Sequence, residues 1–248
     1  MSTSSNFLST AWAKAWGVWF ITVFAFMAIL TGLFVVLLPG QTRRRKAARF
    51  GARQVFRLTG SWPEVSGLEL LPDEPAVVVA NHASYLDGIL LTAVLPHNFQ
   101  FVIKREITEI PGVHFFLRRI GSHFVERFDV RKSANDARRI IQTATSGGSL
   151  GFFPEGTFRK EPGLRRFQNG AFTIAVRQGL PLVPLTLSGT RSMLPAHSWL
   201  PRPANLAVKL AAPVYSGDQN AATVRDNCRQ QILASLDEPD LLAAAAAD

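Results

Sequence analysis

The chain has 248 residues, of which 47% are apolar, and it carries 27 Lys and Arg against 18 Asp and Glu for a formal net charge of +9. This length and composition suit a folded domain with a hydrophobic core and exclude a wholly disordered chain. The single cysteine, Cys228, excludes a disulfide framework and a zinc site built on cysteines.

The first predicted element is a membrane helix. Residues 15–42 carry no charge, and residues 18–38 are apolar apart from two threonines and a glycine. A helix over residues 18–38 would be about 31 Å long, enough to cross the hydrocarbon core of a bilayer. Pro39 and Gly40 then lead directly into a basic cluster, with no small-residue cleavage site, so the segment is expected to stay in the membrane.

Positive charge is concentrated just after this helix. Seven bases and no acid lie from Arg43 to Arg57, whereas the rest of the chain has 20 bases and 18 acids. A nucleic-acid-binding protein would spread such an excess over its folded domain, so we expect membrane lipids as partners and no nucleic acid. The cluster also predicts an inner or plasma membrane location, with everything downstream on the cytoplasmic side.

The basic residues recur with helical spacing. Arg45, Arg49, Arg53 and Arg57 follow one another at four-residue intervals, which gives one basic stripe on a helix. The stripe could rest on anionic headgroups, or it could be a stop-transfer signal on a solvated helix. A helical pair inserted into one leaflet is a further alternative, so the sequence leaves spanning and monotopic insertion open. We assign residues 1–60 to this anchor and residues 61–248 to a second, folded domain.

Beyond residue 60, short apolar runs alternate with helical stretches. This pattern predicts an α/β domain with a mixed, largely buried sheet flanked by helices. The predicted strands are residues 76–80, 100–103, 123–125, 150–153, 182–187 and 207–210. The predicted helices are residues 85–94, 113–120, 134–145, 171–178 and 223–236, and the alanine-rich end is expected to fray or to form a short extension.

Polar residues follow the most strand-like run. Residues 81–87 read Asn-His-Ala-Ser-Tyr-Leu-Asp and lie at the exit of a buried strand, where α/β sheets present reactive groups. With His82 at the strand end and Asp87 in the first turn of the next helix, the carboxylate can reach the imidazole. The other ring nitrogen is then left as a general base. The alternative is that Asp87 caps a helix and His82 is a core residue.

A second cluster, Phe-Phe-Pro-Glu-Gly-Thr at residues 152–157, also follows an apolar run. Glycine lets the backbone approach a ligand closely, while Glu155 and Thr157 offer an acceptor and a hydroxyl. Taken alone, this segment also suits an ordinary strand-to-loop turn.

Together and in this order, the two clusters resemble motifs of the glycerolipid acyltransferase family, whose prototype is 1-acylglycerol-3-phosphate (lysophosphatidic acid) acyltransferase. The family motif N-H-x-x-x-x-D matches Asn81, His82 and Asp87, and the motif F-P-E-G-T-R matches residues 153–157. A further family motif, a basic residue followed by a helix and a later arginine, is matched between Lys104 and Arg127. An apolar run with an internal proline is matched by residues 182–185. The resemblance covers residues 76–190.

The resemblance implies transfer of a fatty acyl group from acyl-CoA or acyl carrier protein to the hydroxyl of a lysophospholipid, with 1-acylglycerol 3-phosphate as the first expectation. It implies no resident cofactor. In this scheme His82 is the base, Asp87 orients it, and Lys104 or a backbone N–H contacts the oxyanion. The residues expected to bind substrate are Asn81, Arg127, Glu155, Gly156, Thr157 and Arg159, with Lys160 as a further anion ligand.

One position departs from the family pattern. Phe158 stands where the family commonly has the arginine associated with the acceptor's phosphate, and the next base is Arg159. Either Arg159 substitutes for that arginine, or the phosphate is held elsewhere, or the acceptor differs. Other acceptors would be glycerol 3-phosphate, another lysophospholipid or an amino-acid-based lysolipid. Outside enzymology, the alternative is a membrane-bound lipid-binding protein without turnover.

Other chemistries lack their motifs. Ser84 does not lie in the G-x-S-x-G turn of a serine hydrolase. The remaining histidines show no ligand spacing, so no metal is implied. The glycine-rich phosphate loops of nucleotide-dependent enzymes are also missing from the sequence.

Overall fold

The computed structural model describes residues 2–125 and 130–245, in which helices and strands alternate after an N-terminal helical pair. The helices are α1 (Ser2–Leu37), α2 (Gln41–Leu58), α3 (Asp87–Val94), α4 (Pro111–Arg119), α5 (Val130–Thr145), α6 (Gly170–Gln178), α7 (Thr190–Met193), α8 (Ala221–Leu233) and α9 (Leu241–Ala245). The strands are β1 (Glu64–Ser66), β2 (Val77–Ala80), β3 (Phe99–Lys104), β4 (His123–Val125), β5 (Ser149–Phe152), β6 (Leu182–Ser188) and β7 (Ala207–Leu210). Short 3-10 helices cover Leu68–Leu70 and Arg105–Glu109.

The strands of the described part of the chain form one sheet in the order β1-β7-β6-β2-β5-β3-β4. Strands β2 to β6 are parallel, β7 is antiparallel to β6, and β1 is parallel to β7. The predicted mixed α/β sheet is therefore confirmed, and each predicted strand is present to within about a residue at either end. Strand β1 was missed because its sequence, Glu-Val-Ser, contains no apolar run. It is held by pairing with β7, where Val65 lies opposite Val208.

Strand β2 lies at the centre of the sheet, and its residues are all fully buried. Val78 and Ala80 belong to a core formed with α1, α2 and α3, whereas Val77 and Val79 belong to a core formed with α5, α6 and α8. Burial on both faces explains why this strand is a continuous apolar run in the sequence. The chain leaving β2 therefore emerges between two packed layers, at the carboxyl edge of the parallel strands.

The two N-terminal helices form an antiparallel pair. The chain reverses at Pro39 and Gly40, with Gly40 at a φ of 76°. Indole N–H groups from α1 bind the end of α2, because Trp16 Nε1 donates to Thr59 O at 3.1 Å and Trp19 Nε1 donates to Leu58 O at 3.2 Å. Within the described residues, one helix, residues 10–37 of α1, is long and apolar enough to cross a membrane by length and composition. This helix is thus paired with α2 along most of its apolar length.

The basic stripe of α2 faces the domain. Arg49 Nη2 donates to Val94 O at 3.2 Å and Arg53 Nε donates to Ala93 O at 2.9 Å, so both bind carbonyls in the last turn of α3. Arg45 Nε donates to Ile120 O, just after α4, at 2.9 Å. These guanidinium groups occupy helix C-termini, where cations satisfy unpaired carbonyls and complement the helix dipole. These three arginines therefore contact protein carbonyls, and they form neither a headgroup-binding surface nor a solvated one. Among the four arginines of the stripe, Arg57 alone is exposed, and its guanidinium lies 5.1 Å from the centroid of the Trp62 ring.

The close approach of α1 and α2 depends on Gly51. A Cβ added at Gly51 would overlap the Thr31 hydroxyl of α1 and come within 3.1 Å of Thr31 Cβ. We expect Gly51→Ala to reduce the free energy of unfolding by about 1–3 kcal/mol through overpacking. The matched control is Gly32→Ala on α1, where an added Cβ has no neighbour within 4 Å, and it should gain about 0.5–1 kcal/mol from helix propensity. Thermal unfolding in detergent checks this, and equal melting temperatures for the two variants would contradict the packing.

Candidate active site

Asn81 fixes the point where the chain leaves β2. Its Nδ2 donates to Leu187 O at 2.9 Å, and Leu187 N donates to its Oδ1 at 2.7 Å, so the side chain bridges to the backbone of β6. Asn81 is buried. Its amide thus holds the strand end in register, and its predicted contact with an acceptor stays a prediction.

His82 and Asp87 form a close pair at this edge of the sheet. His82 Nδ1 lies 2.8 Å from Asp87 Oδ2, and the two side chains are 18% and 0% exposed. The same Oδ2 accepts the backbone N–H of Ala83 at 2.6 Å and of Ser84 at 2.8 Å. Three donors thus hold a buried carboxylate at the first residue of α3. With Nδ1 engaged, Nε2 is the ring nitrogen left to accept a proton from a substrate.

Aromatic rings hold the imidazole from two sides. The Phe153 ring stacks on His82 with centroids 4.2 Å apart, and the Phe158 ring meets it edge-on at 4.6 Å. Phe158 in turn packs edge-on against Tyr85 at 4.7 Å, and Tyr85 is 60% exposed. Phe158, the position that departs from the family motif, therefore forms a wall beside the base.

Glu155 ties the two motif loops together. Its Oε1 accepts the backbone N–H of His82 at 2.7 Å, and its Oε2 accepts that of Arg165 at 3.0 Å. Burial raises the pKa of Glu155 above its usual range, and these two hydrogen bonds oppose the shift. The next residue, Gly156, has a φ of 79°, which favours glycine at this turn. Glu155 thus shapes the site through the backbone it holds, while direct contact of Glu155 or Gly156 with the acceptor stays a prediction.

The remaining residues predicted to contact substrate lie on separate segments of the chain. Lys104 ends β3, with its Nζ 3.4 Å from Glu106 Oε1. Thr157 and Arg159 are exposed on the loop after Glu155, as is Lys160. Arg127 lies outside the described residues. For Lys104, Thr157 and Arg159, contact with a reacting lipid stays a prediction.

Several residues contribute to the site in ways that were not predicted from the sequence, where Arg165 was expected on a solvated face or at lipid headgroups. Tyr85 and Phe158 line the approach to His82, and Arg165 supplies a backbone donor to Glu155. The guanidinium of Arg191 binds the carbonyl of Arg159 and the carboxylate of Glu238, and so ties the loop that carries Arg159 to Glu238. The two aromatic residues could have been found from the sequence, since they lie within or next to the motifs. Arg191 could not, because its partners are more than 30 residues away in sequence.

Comparison with known proteins decides the family. Residues 63–188 match the family model described as Acyltransferase, which is half of the chain. The chain belongs to the acyltransferase family. This confirms the family predicted from the motifs.

Named relatives point the same way. This acyltransferase is 35% identical over 176 residues to a chloroplastic 1-acyl-sn-glycerol-3-phosphate acyltransferase of Brassica napus, covering 70% of this chain and 50% of the relative. It is 30% identical over 129 residues to a 1-acyl-sn-glycerol-3-phosphate acyltransferase of Borreliella burgdorferi, covering 52% of each. The chain spans about half the length of these curated relatives.

A solved structure shares the fold. The crystal structure of the 1-acyl-sn-glycerophosphate acyltransferase PlsC from Thermotoga maritima matches with a TM-score of 0.75 and 23% identity, covering 90% of this chain and 96% of that one. The likeness extends beyond the family match, since that match leaves out the N-terminal helices.

Ser84 and Asp87 allow the catalytic assignment to be tested within one loop. The Ser84 hydroxyl is fully buried, donates to Leu194 O at 2.7 Å and accepts the Leu86 N–H at 3.2 Å. We expect Ser84→Ala to cost about 1–3 kcal/mol of stability and to keep turnover within a few-fold. Asp87→Asn replaces an acceptor of three donors with an amide and removes the group that orients His82, so turnover should fall by about 10²–10⁴. Acyl transfer by purified protein in detergent measures both. A loss for Ser84→Ala equal to that of Asp87→Asn, with both variants folded by circular dichroism, would contradict the assignment.

Proposed function

We propose that this acyltransferase moves a fatty acyl group from an acyl thioester to the free hydroxyl of 1-acylglycerol 3-phosphate, giving phosphatidic acid and a free thiol. The observation that carries the proposal is the 2.8 Å pair of His82 and Asp87, with the imidazole partly exposed at the carboxyl edge of the sheet. The named relatives support the choice of acceptor, since two of them are 1-acyl-sn-glycerol-3-phosphate acyltransferases.

The proposed chemistry needs one base and one anion contact. Nε2 of His82 takes the proton of the acceptor hydroxyl as its oxygen attacks the thioester carbonyl carbon. The tetrahedral intermediate then collapses, the C–S bond breaks, and the imidazolium returns the proton to the leaving sulfur. Asp87 holds the ring and stabilises its charged form. A base of this kind contributes about 10²–10⁴-fold, and the oxyanion contact, assigned to Lys104 or a backbone N–H, adds to it.

No covalent intermediate on the protein is required, because a thioester is already activated toward attack. Both acyl-CoA and acyl carrier protein supply such a thioester, and either serves as a co-substrate in this scheme. Phe153 and Phe158 cover parts of the imidazole that water would otherwise reach. Excluding water beside the base favours transfer to the lipid alcohol over hydrolysis of the donor.

A second candidate acceptor is motivated by Phe158. At this position the family pattern carries a guanidinium, whereas here an apolar ring contacts His82 and Tyr85. An acceptor with an uncharged or zwitterionic headgroup would suit this wall better than a phosphate dianion, because an aromatic ring offers no charge-assisted hydrogen bond. A lipid-binding protein without turnover is less well supported, since both members of the dyad are present and in contact.

The acceptor is testable with a panel of lysolipids. Purified protein in detergent with acyl-CoA should convert 1-acylglycerol 3-phosphate to phosphatidic acid faster than it acylates glycerol 3-phosphate, other lysophospholipids or an amino-acid-based lysolipid, as read by mass spectrometry. His82→Ala should lower the rate by about 10² or more because the base is lost. Preference for an acceptor with an uncharged or zwitterionic headgroup would favour the second candidate, and near-normal turnover by a folded His82→Ala variant would refute the base.

We further propose that α1 lies in one leaflet, with the catalytic domain on the cytoplasmic side. The pairing of α1 with α2 supports this, since Phe20 of α1 and Phe56 of α2 are buried against each other, and α2 is bound to α3 through Arg49 and Arg53. A helix crossing alone would have to leave these contacts. The exposed apolar side chains of α1 form the surface that would enter the leaflet, among them Trp12, Trp19, Phe26, Ile29, Leu33 and Leu37.

The topology has a direct test. Because the beginning of α1 lies beside the end of α2, a monotopic pair puts an epitope tag ahead of α1 on the same side of the membrane as the domain. Protease added to right-side-out membrane vesicles should then spare that tag and a tag on the domain, and both should be cleaved in inside-out vesicles. Cleavage of only the first tag in right-side-out vesicles would indicate a spanning helix.

A further inference from the structure

A cavity of about 1020 Å³ lies beside the edge strand β4, between α2, α4 and α5. Its lining contains neither dyad residue and no residue of the 152–157 loop. In the sheet, β4 is three strands away from β2, which at about 4.8 Å per strand is roughly 14 Å. The cavity is therefore separate from the reacting groups around His82.

The lining is strongly basic. Its charged and imidazole side chains are Arg45, Arg105, Arg118, Arg139, His114, His123 and a single carboxylate, Asp136. That carboxylate is bound by Arg105, with Arg105 Nη2 2.7 Å from Asp136 Oδ2. In the part of the chain that the structure describes, neither Arg118 nor Arg139 forms an ion pair with a carboxylate. A concave surface with uncompensated cations attracts anions.

One of these cations is fixed in place before any ligand binds. Arg45 Nε donates to Ile120 O at 2.9 Å and its Nη2 donates to Gln41 Oε1 at 2.9 Å. Gly121 makes room for this arrangement, because a Cβ there would lie 3.1 Å from Gln41 Oε1 and 3.2 Å from Arg45 Nη2. A preorganised guanidinium binds an anion with less loss of conformational entropy than a mobile one.

Positive charges from two helices act on His123, which lies in the cavity wall. Its Nε2 lies 3.0 Å from Thr143 Oγ1, and its pKa is lowered by burial and by the positive charges of Arg45 and Arg139, with Asp136 opposing. Arginines from α2 and from α5 thus act on one point of the cavity wall. His114 and Phe124 meet edge-on at 5.1 Å in the same lining and give it an aromatic surface.

We propose that this cavity binds a phosphate ester, at a site distinct from the His82 site. Guanidinium groups match phosphate oxygens in geometry and charge, which suits Arg118 and Arg139. The volume exceeds that of inorganic phosphate and lies at the upper end of the range of small-molecule pockets. Two sources have this chemistry. One, which rests on the proposed function, is the nucleotide end of a CoA thioester, whose adenine would meet His114 and Phe124. The other is the headgroup of an anionic phospholipid, since Arg119, the neighbour of the lining residue Arg118, binds Val35 O and Val36 O near the end of α1.

Binding without turnover tests the site independently of the proposed reaction. Titration calorimetry of the full chain in neutral detergent would use coenzyme A, adenosine 3′,5′-bisphosphate and inorganic phosphate. Sedimentation with vesicles of phosphatidylcholine, with and without phosphatidylglycerol, would test the lipid source. The double variant Arg118→Gln/Arg139→Gln should weaken binding on the order of tenfold to a hundredfold. The matched control is Arg177→Gln, an exposed arginine in the last turn of α6, which should leave affinity unchanged.

The outcomes separate the sources. Loss of coenzyme A and bisphosphate affinity in the double variant identifies the nucleotide end of the donor, and loss confined to phosphatidylglycerol vesicles identifies the headgroup. Unchanged affinity for every phosphate ligand in a double variant with wild-type thermal unfolding would overturn the proposal. A loss for Arg177→Gln that equals the loss of the double variant per charge removed would also overturn it, because the effect would then be one of net charge. His82→Ala should bind as wild type does, and loss of binding there would place the ligand at the dyad instead.

Discussion

The carboxylate of Asp87 is the contact on which the rest of the site depends. One oxygen accepts three donors, from the His82 ring and from the backbone of Ala83 and Ser84, while the side chain is fully buried. A buried carboxylate is costly unless it is hydrogen-bonded, so the loop that supplies these donors is held to one conformation. The contact to Nδ1 also leaves Nε2 as the ring nitrogen that can accept a proton. One carboxylate oxygen thus contacts both the imidazole ring and the backbone of the loop.

Long-range contacts connect this local arrangement to the sheet. Asn81 binds the backbone of Leu187 in both directions, and Glu155 joins the N–H of His82 to that of Arg165. Asn81 and Leu187 are 106 residues apart in the sequence, and His82 and Glu155 are 73 residues apart. Because β5 and β6 flank β2, the loops that follow these three strands meet at one edge. The base is thus held by rigid elements on both sides, which keeps its position relative to a substrate constant.

The sequence predicted what depends on local pattern. Buried strands such as β2 and β6 read as apolar runs, and the His82 and Asp87 spacing predicted a pair that a 2.8 Å distance now connects. The sequence did not predict features that depend on which other elements a helix or strand packs against. A four-residue repeat shows that Arg45, Arg49 and Arg53 share a helix face, but whether that face meets water, lipid or carbonyls is decided by α3 and α4. Strand β1 and the wall formed by Phe158 were missed for the same reason, since each is stabilised by residues distant in sequence.

Glu155 shows how framework and chemistry are combined in one group. Joining two backbone N–H groups through a buried carboxylate costs desolvation free energy, because burial raises the pKa of Glu155 even though both of its oxygens are hydrogen-bonded. A neutral amide would offer one acceptor oxygen and would set an N–H₂ group against the second donor. Only a carboxylate accepts from both loops. The same negative charge lies close enough to His82 for the two to interact electrostatically. In the proposed reaction, a negative charge at this position favours the imidazolium that forms as the alcohol is deprotonated.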